Sequence, residues 1–410
     1  MSVTGSFGSF EVLPLPAEVV ISHPAWSSNS PLKPDKSIYS ARKPLAALTV
    51  PTQIATFSYD ANHVLRYDDS SLRYFVEPQK GADLEMEFEQ WPGPEEDPGR
   101  LDSLLFAYMR EVDSGKDLEK PNVMTWRGMM TRIVTALYER RDSWEMNAML
   151  VDGTVYLEDN KGHSYVNETV TGYTRGIKNI PTPQRKLMYT GYAFESYCTA
   201  DGPNQTVSTQ HEPDVNTNMQ WCSIVQTSIG SSKLVLGGEV DCVRGAYKGK
   251  NGNYVELKTS GAIKNVKDER NFERKALKYW AQSYLLGIPQ VVVGFRSSRS
   301  PYILETVQTF QTFHLPRLGL NAGWSATACL NWTNAALEYI RERLASEGRA
   351  VQEEAKMFRI MFRPGEGLQV LTLADEHALA IQNGDHVERV GFLPKGYWEW
   401  VMRRRGTTIL

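Results

Sequence analysis

The sequence predicts an α+β protein without internal repeats. Two observations predict it. Short runs rich in Val, Ile, Tyr and Phe, bounded by Gly, Pro, Asn or Asp, recur along the chain, as in IATFSYD, NAMLVDGTVYLED, MQWCSIVQTSIG and QVVVGFRS. Between them lie stretches with apolar residues at spacings of three, four and seven, as in LDSLLFAYMREV and residues 265–286.

Residues 1–35 are rich in Ser, Pro and Gly and read as an irregular arm; residues 36–410 read as one domain. Three short strands are expected between Gln53 and Glu77. Residues 81–100 are acidic and end in EEDPG. Leu101, Leu104, Leu105 and Tyr108 then share a helical face. The run 122–140 predicts a helix starting near Thr125, with Thr125 as N-cap. Arg127 falls in its first turn, where the helix dipole disfavours a cation unless an anion sits beside it; a solvated arginine is the other reading. WEMNAMLVDGTVYLEDN predicts a hairpin turning at Asp152-Gly153.

Residues 158–185, with Pro181 and Pro183, predict a long loop. Leu187, Gly191, Phe194 and Cys198 predict a helix, on which Glu195 is either a solvated outer-face residue or a ligand. Strands follow at 219–230, 233–245, 253–260 and 289–297. The helix between the last two has clear ends: Asn265 caps it, and Gly287-Ile288-Pro289 stops it. Phe272, Leu277, Trp280, Tyr284 and Leu285 form its buried side, and Lys275, Lys278 and Gln282 a polar stripe. A strand at 305–316, a long helix within 325–346, a hairpin around RPGEG and a C-terminal helix in PKGYWEWVMRRR complete the chain.

A chain of 410 residues fits one large domain or a core with a small satellite. The formal net charge of −3 provides no global basic field, so any polyanion site must be local. Four cysteines (Cys198, Cys222, Cys242, Cys329) form no CxxC pair, which argues against a zinc site or a disulfide framework and fits a reducing compartment. No apolar run approaches 18 residues and no charged-then-apolar leader opens the chain, so neither a membrane span nor a signal peptide is expected.

The stretch 234–258 carries the chemistry. It holds Glu239, Asp241, Glu256 and Lys258 among strongly apolar neighbours. Alternation puts Glu239 and Asp241 on the same face of one strand, and Glu256 and Lys258 on the same face of the next. A hairpin turning near 248–249 sets Asp241 opposite Glu256, and Glu239 opposite Lys258. Three carboxylates and one ammonium in one patch need a counter-charge, and a divalent cation held by oxygen ligands supplies it. An acid on one strand followed by Glu-x-Lys on the next is also the pattern of metal-dependent nucleases of the restriction-endonuclease superfamily. An exposed mixed-charge hairpin is the competing reading, and the apolar flanks Leu234, Val235, Leu236, Val240, Val255 and Leu257 argue against it.

Six motifs in order, Trp126-Arg127-Gly128, GYAFE (191–195), GEVDC (238–242), YVELKTS (254–260), KYWAQSYLLGIP (278–289) and VVVGFR (291–296), resemble the DXO family of RNA decapping and 5′-end quality-control hydrolases, including fungal nuclear members that partner a 5′–3′ exoribonuclease. The similarity runs from about residue 50 to the C-terminus. It implies one α+β domain with two mixed β-sheets packed together, flanking helices and a restriction-nuclease-like catalytic core. It implies side-chain metal ligands Glu195, Glu239, Asp241 and Glu256, with the Leu257 main-chain oxygen, around one or two Mg²⁺ or Mn²⁺ ions. Lys258 and Gln282 would sit beside the scissile phosphate or the attacking water, with Glu239 and Asp241 in the catalytic set. Trp126, Arg127 and Gly128 would hold the RNA 5′ end, and Cys222 would line the substrate site; on its own Cys222 reads as a buried thiol. The implied activity is hydrolysis at RNA 5′ ends: pyrophosphate release from triphosphates, removal of incomplete caps or of a nicotinamide dinucleotide cap, and in some members 5′–3′ exonuclease action.

One departure stands out. Where the family often carries Arg-Pro-x-Glu ahead of a Phe-Ser-x-Asp segment (here Phe57-Ser58-Tyr59-Asp60), this chain has Val50-Pro51-Thr52-Gln53. The expectation is therefore a nuclear RNA 5′-end hydrolase. The alternatives are a non-catalytic activator of an exoribonuclease and a DNA nuclease of the same superfamily.

Overall fold

In the computed structural model, residues 30–35, 46–94, 99–160, 180–203, 205, 214–348 and 356–405 are described. Most of the expected N-terminal arm, and residues 161–179 of the expected long loop, lie outside them. Within the arm, Leu32 is buried and forms an isolated bridge with Leu368.

The chain opens with β1 (Thr52–Tyr59), β2 (Leu65–Arg66), β3 (Tyr74–Phe75) and α1 (Asp102–Asp113). Next come β4 (Val123–Trp126), α2 (Arg127–Thr135) and the hairpin β5 (Trp144–Val151) and β6 (Thr154–Asp159). Asp152 and Gly153 both have positive φ (46° and 75°), as a tight two-residue hairpin turn requires. Then follow α3 (Thr182–Tyr197), β7 (Thr199–Ala200), β8 (Gln220–Ile229), β9 (Ser232–Glu239), β10 (Cys242–Val243) and β11 (Tyr254–Gly261). Helix α4 (Val266–Leu286) is capped as its sequence predicts: the Asn265 side chain accepts from the N–H groups of Lys267 and Asp268, and Gly287 takes the left-handed conformation. The rest comprises β12 (Gln290–Arg296), β13 (Leu304–Gln311), α5 (Pro316–Ala322), α6 (Ala326–Gly348), β14 (Met357–Arg363), β15 (Gly367–Thr372), α7 (Asp375–Gln382), β16 (Arg389–Val390), β17 (Leu393–Pro394) and α8 (Lys395–Arg405).

Two departures from the sequence reading have physical causes. Thr125 does not cap a helix. Residues 123–126 are instead a central strand, paired in parallel with β6 on one side and β9 on the other, and the Thr125 hydroxyl donates to the Leu157 carbonyl. Helix α3 begins at Thr182, inside the expected loop; a proline is tolerated in the first turn, where its missing N–H has no helical partner to lose.

The strands form two large mixed sheets and a small one. The first has nine strands in the order β15-β14-β5-β6-β4-β9-β8-β1-β2, and the second has six, β13-β12-β11-β10-β3-β7. The α+β class and its two mixed sheets are as expected. The largest core takes residues from both sheets (Leu234, Leu236, Val291, Val293) together with α2, α4 and α6. A second core fills the other face of the nine-stranded sheet beneath α1 and α8. A third lies between β11, β12 and α3. Among the described residues no helix is long and apolar enough to cross a membrane.

Candidate active site

Strands β9 and β10 are consecutive in the chain but belong to different sheets. Val240 and Asp241 carry the chain across between them. Glu239 ends β9, opposite Cys222 of β8. Cys242 lies opposite Val255 of β11, so the antiparallel register sets Asp241 beside Glu256, as the sequence predicts. The expected pairing of Glu239 with Lys258 does not form. The apolar run Leu234–Leu236, buried on both faces, is paired within the nine-stranded sheet between β4 and β8, so Glu239 reaches the site from the other sheet.

Two glycines bring the first turn of α2 up to this junction. A Cβ on Gly237 would lie 2.8 Å from the Trp126 ring, and one on Gly238 would lie 3.0 Å from Arg127 Cβ and 2.7 Å from Leu286 Cδ1. Trp126 is anchored from behind, its indole N–H donating to the Arg100 carbonyl at 2.8 Å. Arg127 Nη1 donates to both carboxylate oxygens of Glu256 at 3.0 and 2.9 Å. The cation misplaced by the dipole rule therefore has an internal anion, one that is fully buried. Lys258 Nζ lies 2.6 Å from Glu256 Oε1 and 3.9 Å from Asp241 Oδ2, and donates to the Leu257 carbonyl at 3.0 Å. Asp241 Oδ2 accepts the Leu257 N–H at 2.6 Å.

Arg127, Glu195, Glu239, Asp241 and Lys258 line one cavity of about 360 Å³. Glu195 comes from α3, near its C-terminal end. Trp126, Gly128, Cys222, Glu256, Leu257 and Gln282 stand outside that lining. Gly128 is exposed, with nothing within 4 Å of where a Cβ would be. Cys222 is buried, as are the other three cysteines, and none of the four is in a disulfide. Gln282 is half-buried one turn beyond Lys278 on α4; burial and then the Lys258 charge lower the Lys278 pKa, so this stripe of the helix feels the site. The same cavity is also lined by residues to which the sequence reading gives no role, among them His63, Arg73, Asn216, Asn218 and Gln220. Gln53, at the family departure, is held by the hydroxyls of Tyr247 (2.7 Å) and Tyr254.

The electrostatics divide the carboxylates into two kinds. Burial, then the Asp241 charge, pushes Glu239 up to about 7. Burial, then Glu256, pushes Asp241 up to about 6. Burial and Asp241 hold Glu195 well above the usual carboxylate range. At Glu256 burial also opposes ionisation, but Arg127 and Lys258 outweigh it and the pKa falls. Among the described residues no three His, Cys, Asp or Glu side chains converge as a ready-made metal site. Some of the oxygens are already engaged: Glu256 by the two cations, Asp241 by the Leu257 N–H, and the Leu257 carbonyl by Lys258. The donor chemistry nonetheless fits a hard divalent cation, since Glu195, Glu239 and Asp241 face one cavity with mutually repelling charge.

The profile of the family described as RAI1 like PD-(D/E)XK nuclease matches residues 49–398. The chain belongs to this family. Its relatives include the decapping nuclease RAI1 of Gibberella zeae, 38% identical over 73% of this chain and 82% of that protein. Among solved structures, Rai1 of Scheffersomyces stipitis in complex with (3'-NADP)+ and calcium ion superposes with a TM-score of 0.72 at 25% identity, covering 88% of this chain and 97% of that one. Candida albicans Rai1 in complex with pU5-Mn2+ gives 0.71 at 25% identity, covering 88% and 98%. The expected class, an enzyme of the nuclease superfamily acting on RNA 5′ ends, stands.

Proposed function

We propose that the protein is a divalent-metal-dependent hydrolase of RNA 5′ ends. It releases pyrophosphate from 5′-triphosphates and removes unmethylated and nicotinamide dinucleotide caps in mRNA quality control. The observation that carries this reading is one cavity lined at once by Glu195, Glu239 and Asp241 and by the cations Arg127 and Lys258. Carboxylates alone would repel a phosphorylated 5′ end, and cations alone would hold it without activating water. The ligands named for the two solved Rai1 structures, a 5′-phosphorylated oligonucleotide with Mn²⁺ and a nicotinamide dinucleotide with calcium, support the same classes of ligand here.

Glu195, Glu239, Asp241 and Glu256, with the Leu257 carbonyl, would hold Mg²⁺ or Mn²⁺, which polarises phosphoryl oxygens and acidifies water. The chain's own groups do the rest. Arg127, steadied by Glu256, turns the remainder of its guanidinium fork to a 5′-phosphate oxygen. The open space over Gly128, beside Trp126 and Arg127 in the chain, admits the RNA end. Lys258 offsets the negative charge that grows on the phosphoryl group. Gln282 orients the attacking water, and Cys222 supports the substrate wall from β8. The family resemblance also supports a nuclear role beside a 5′–3′ exoribonuclease, which co-purification tests.

Purified protein incubated with 5′-triphosphate, unmethylated-cap and nicotinamide-dinucleotide-capped RNA, with Mg²⁺ or Mn²⁺ and then with EDTA, tests the reading. Release of pyrophosphate or cap only with metal is expected. Metal-independent release, or none from any of the three RNAs, would overturn it.

A further inference from the structure

The cavity wall is also built from the turn between β1 and β2 and from the stretch leading into β8. His63 lies on it in a left-handed backbone conformation, φ 58°. Such backbone is uncommon outside glycine and concentrates where a side chain must be aimed. Asp60 holds the loop that aims it. Its Oδ1 accepts the N–H groups of Asn62 and Val64 at 3.0 Å, its Oδ2 accepts from Arg66, and its carbonyl accepts the His63 N–H at 2.8 Å. The imidazole lies flat on the Tyr59 ring, with centroids 4.2 Å apart and planes within 3°. Tyr59 packs edge-on against Phe57, which is fully buried, and Phe57 meets Trp126 edge-on in turn. His63 is thus the cavity-side end of a ring stack rooted in the core. Beside it, His63 Nδ1 lies 3.4 Å from the Asn218 carbonyl oxygen, and Asn216, Asn218 and Gln220 line the same cavity; Asn216 Oδ1 accepts the Asn218 N–H at 2.9 Å, and Asn218 Nδ2 and Gln220 Nε2 donate to the Ala61 and Thr217 carbonyls, each at 3.4 Å.

A rigid flat ring flanked by neutral amides suits a nucleobase. The ring supplies a stacking face for any base, and the amide atoms not used within the loop, Asn216 Nδ2 and Asn218 Oδ1, are a donor and an acceptor for its hydrogen-bonding edge. We propose that Tyr59-His63, with the amides of Asn216 and Asn218, forms a nucleobase subsite that stacks one of the first three bases of the RNA and so positions its 5′ end against the carboxylate wall. The inference rests on the proposed 5′-end function, but it concerns binding and is read by binding. Phe57-Ser58-Tyr59-Asp60 thereby acquires a role: Tyr59 backs the platform and Asp60 fixes its angle.

The test measures the Kd of a short 5′-monophosphorylated RNA by fluorescence anisotropy, in Ca²⁺, against RNAs lacking the base at position one, two or three. His63→Gly removes the ring at a backbone geometry glycine adopts freely, and His63→Tyr restores a stacking face. The platform predicts that one abasic position weakens wild-type binding by about tenfold. It predicts that His63→Gly is weakened to a similar degree on the complete RNA, that the variant no longer responds to that abasic position, and that His63→Tyr regains most of the loss. Equal loss by His63→Gly on complete and abasic RNA, or none on either, would overturn the subsite. Because binding is measured apart from cleavage, a protein that hydrolyses no 5′ end but stacks the base through His63 would retain the subsite and lose only the proposed function.

Discussion

At the scale of single residues, the site turns on Glu256. Its carboxylate is wholly inaccessible to solvent and pairs with two cations, Arg127 and Lys258. Removing one partner from a buried ionic cluster leaves the others uncompensated, at about 3–5 kcal/mol. Glu256→Ala should therefore lower unfolding stability in urea by about that amount, and a loss under about 1 kcal/mol would mean the cluster is solvated. Glu239 and Asp241 behave in the opposite sense. Their folded pKa values, about 7 and about 6, lie above their ordinary values of 4.5 and 3.8. The fold therefore binds their protons more tightly than the unfolded chain does. Their contribution to stability is fully present below the ordinary values and is lost as pH rises through 6 to 7. A divalent ion competes with those protons. The rise in Tm produced by Mn²⁺ should accordingly be small near pH 5 and large near pH 8 in thermal melts, and a pH-independent rise would place the ion elsewhere.

At the scale of elements, what could be read in advance was local. The caps of α4, the turn at Asp152-Gly153 and the register that brings Asp241 to Glu256 all depend on residues close in sequence. What escaped depended on distant partners. The helix read within 122–140 is expected to start near Thr125, yet β6 and β9 draw Val123–Trp126 into a parallel strand, and α2 starts two residues past Thr125. The sequence places Glu239 in one hairpin with Lys258 because nothing local announces that the chain changes sheets at Val240. The four expected side-chain ligands occur in three motifs, but the lining that carries His63, Arg73 and Asn218 becomes visible only when distant loops meet; the positive φ at His63 has no signature in composition. The close approach at Gly238 offers a test of how α2 is seated. Gly238→Ala drives a methyl against Leu286 and Arg127. It should cost about 1–3 kcal/mol by overpacking and lower 5′-end hydrolysis by about 10- to 100-fold through displacement of Arg127. Wild-type turnover in this variant would mean that Arg127 does not position the substrate.

At the scale of the whole molecule, the cavity exists because two sheets meet along one crossing strand. The nine-stranded sheet supplies Glu239 and, through α2, Arg127; the six-stranded sheet supplies Lys258 and the shielded Glu256; α3 adds Glu195. No one element holds enough charge to bind a metal and a phosphate together, so the chemistry belongs to the assembled fold. The carboxylates are therefore indispensable as a group, and pyrophosphate release from 5′-triphosphate RNA in Mg²⁺ tests this most directly, with wild type compared against Glu239→Ala/Asp241→Ala after both are shown to be folded. The predicted result is release by the wild type, abolished by EDTA and reduced in the double variant by at least about three orders of magnitude. Release by the double variant at a rate near wild type would contradict the assignment of the reaction to this cavity.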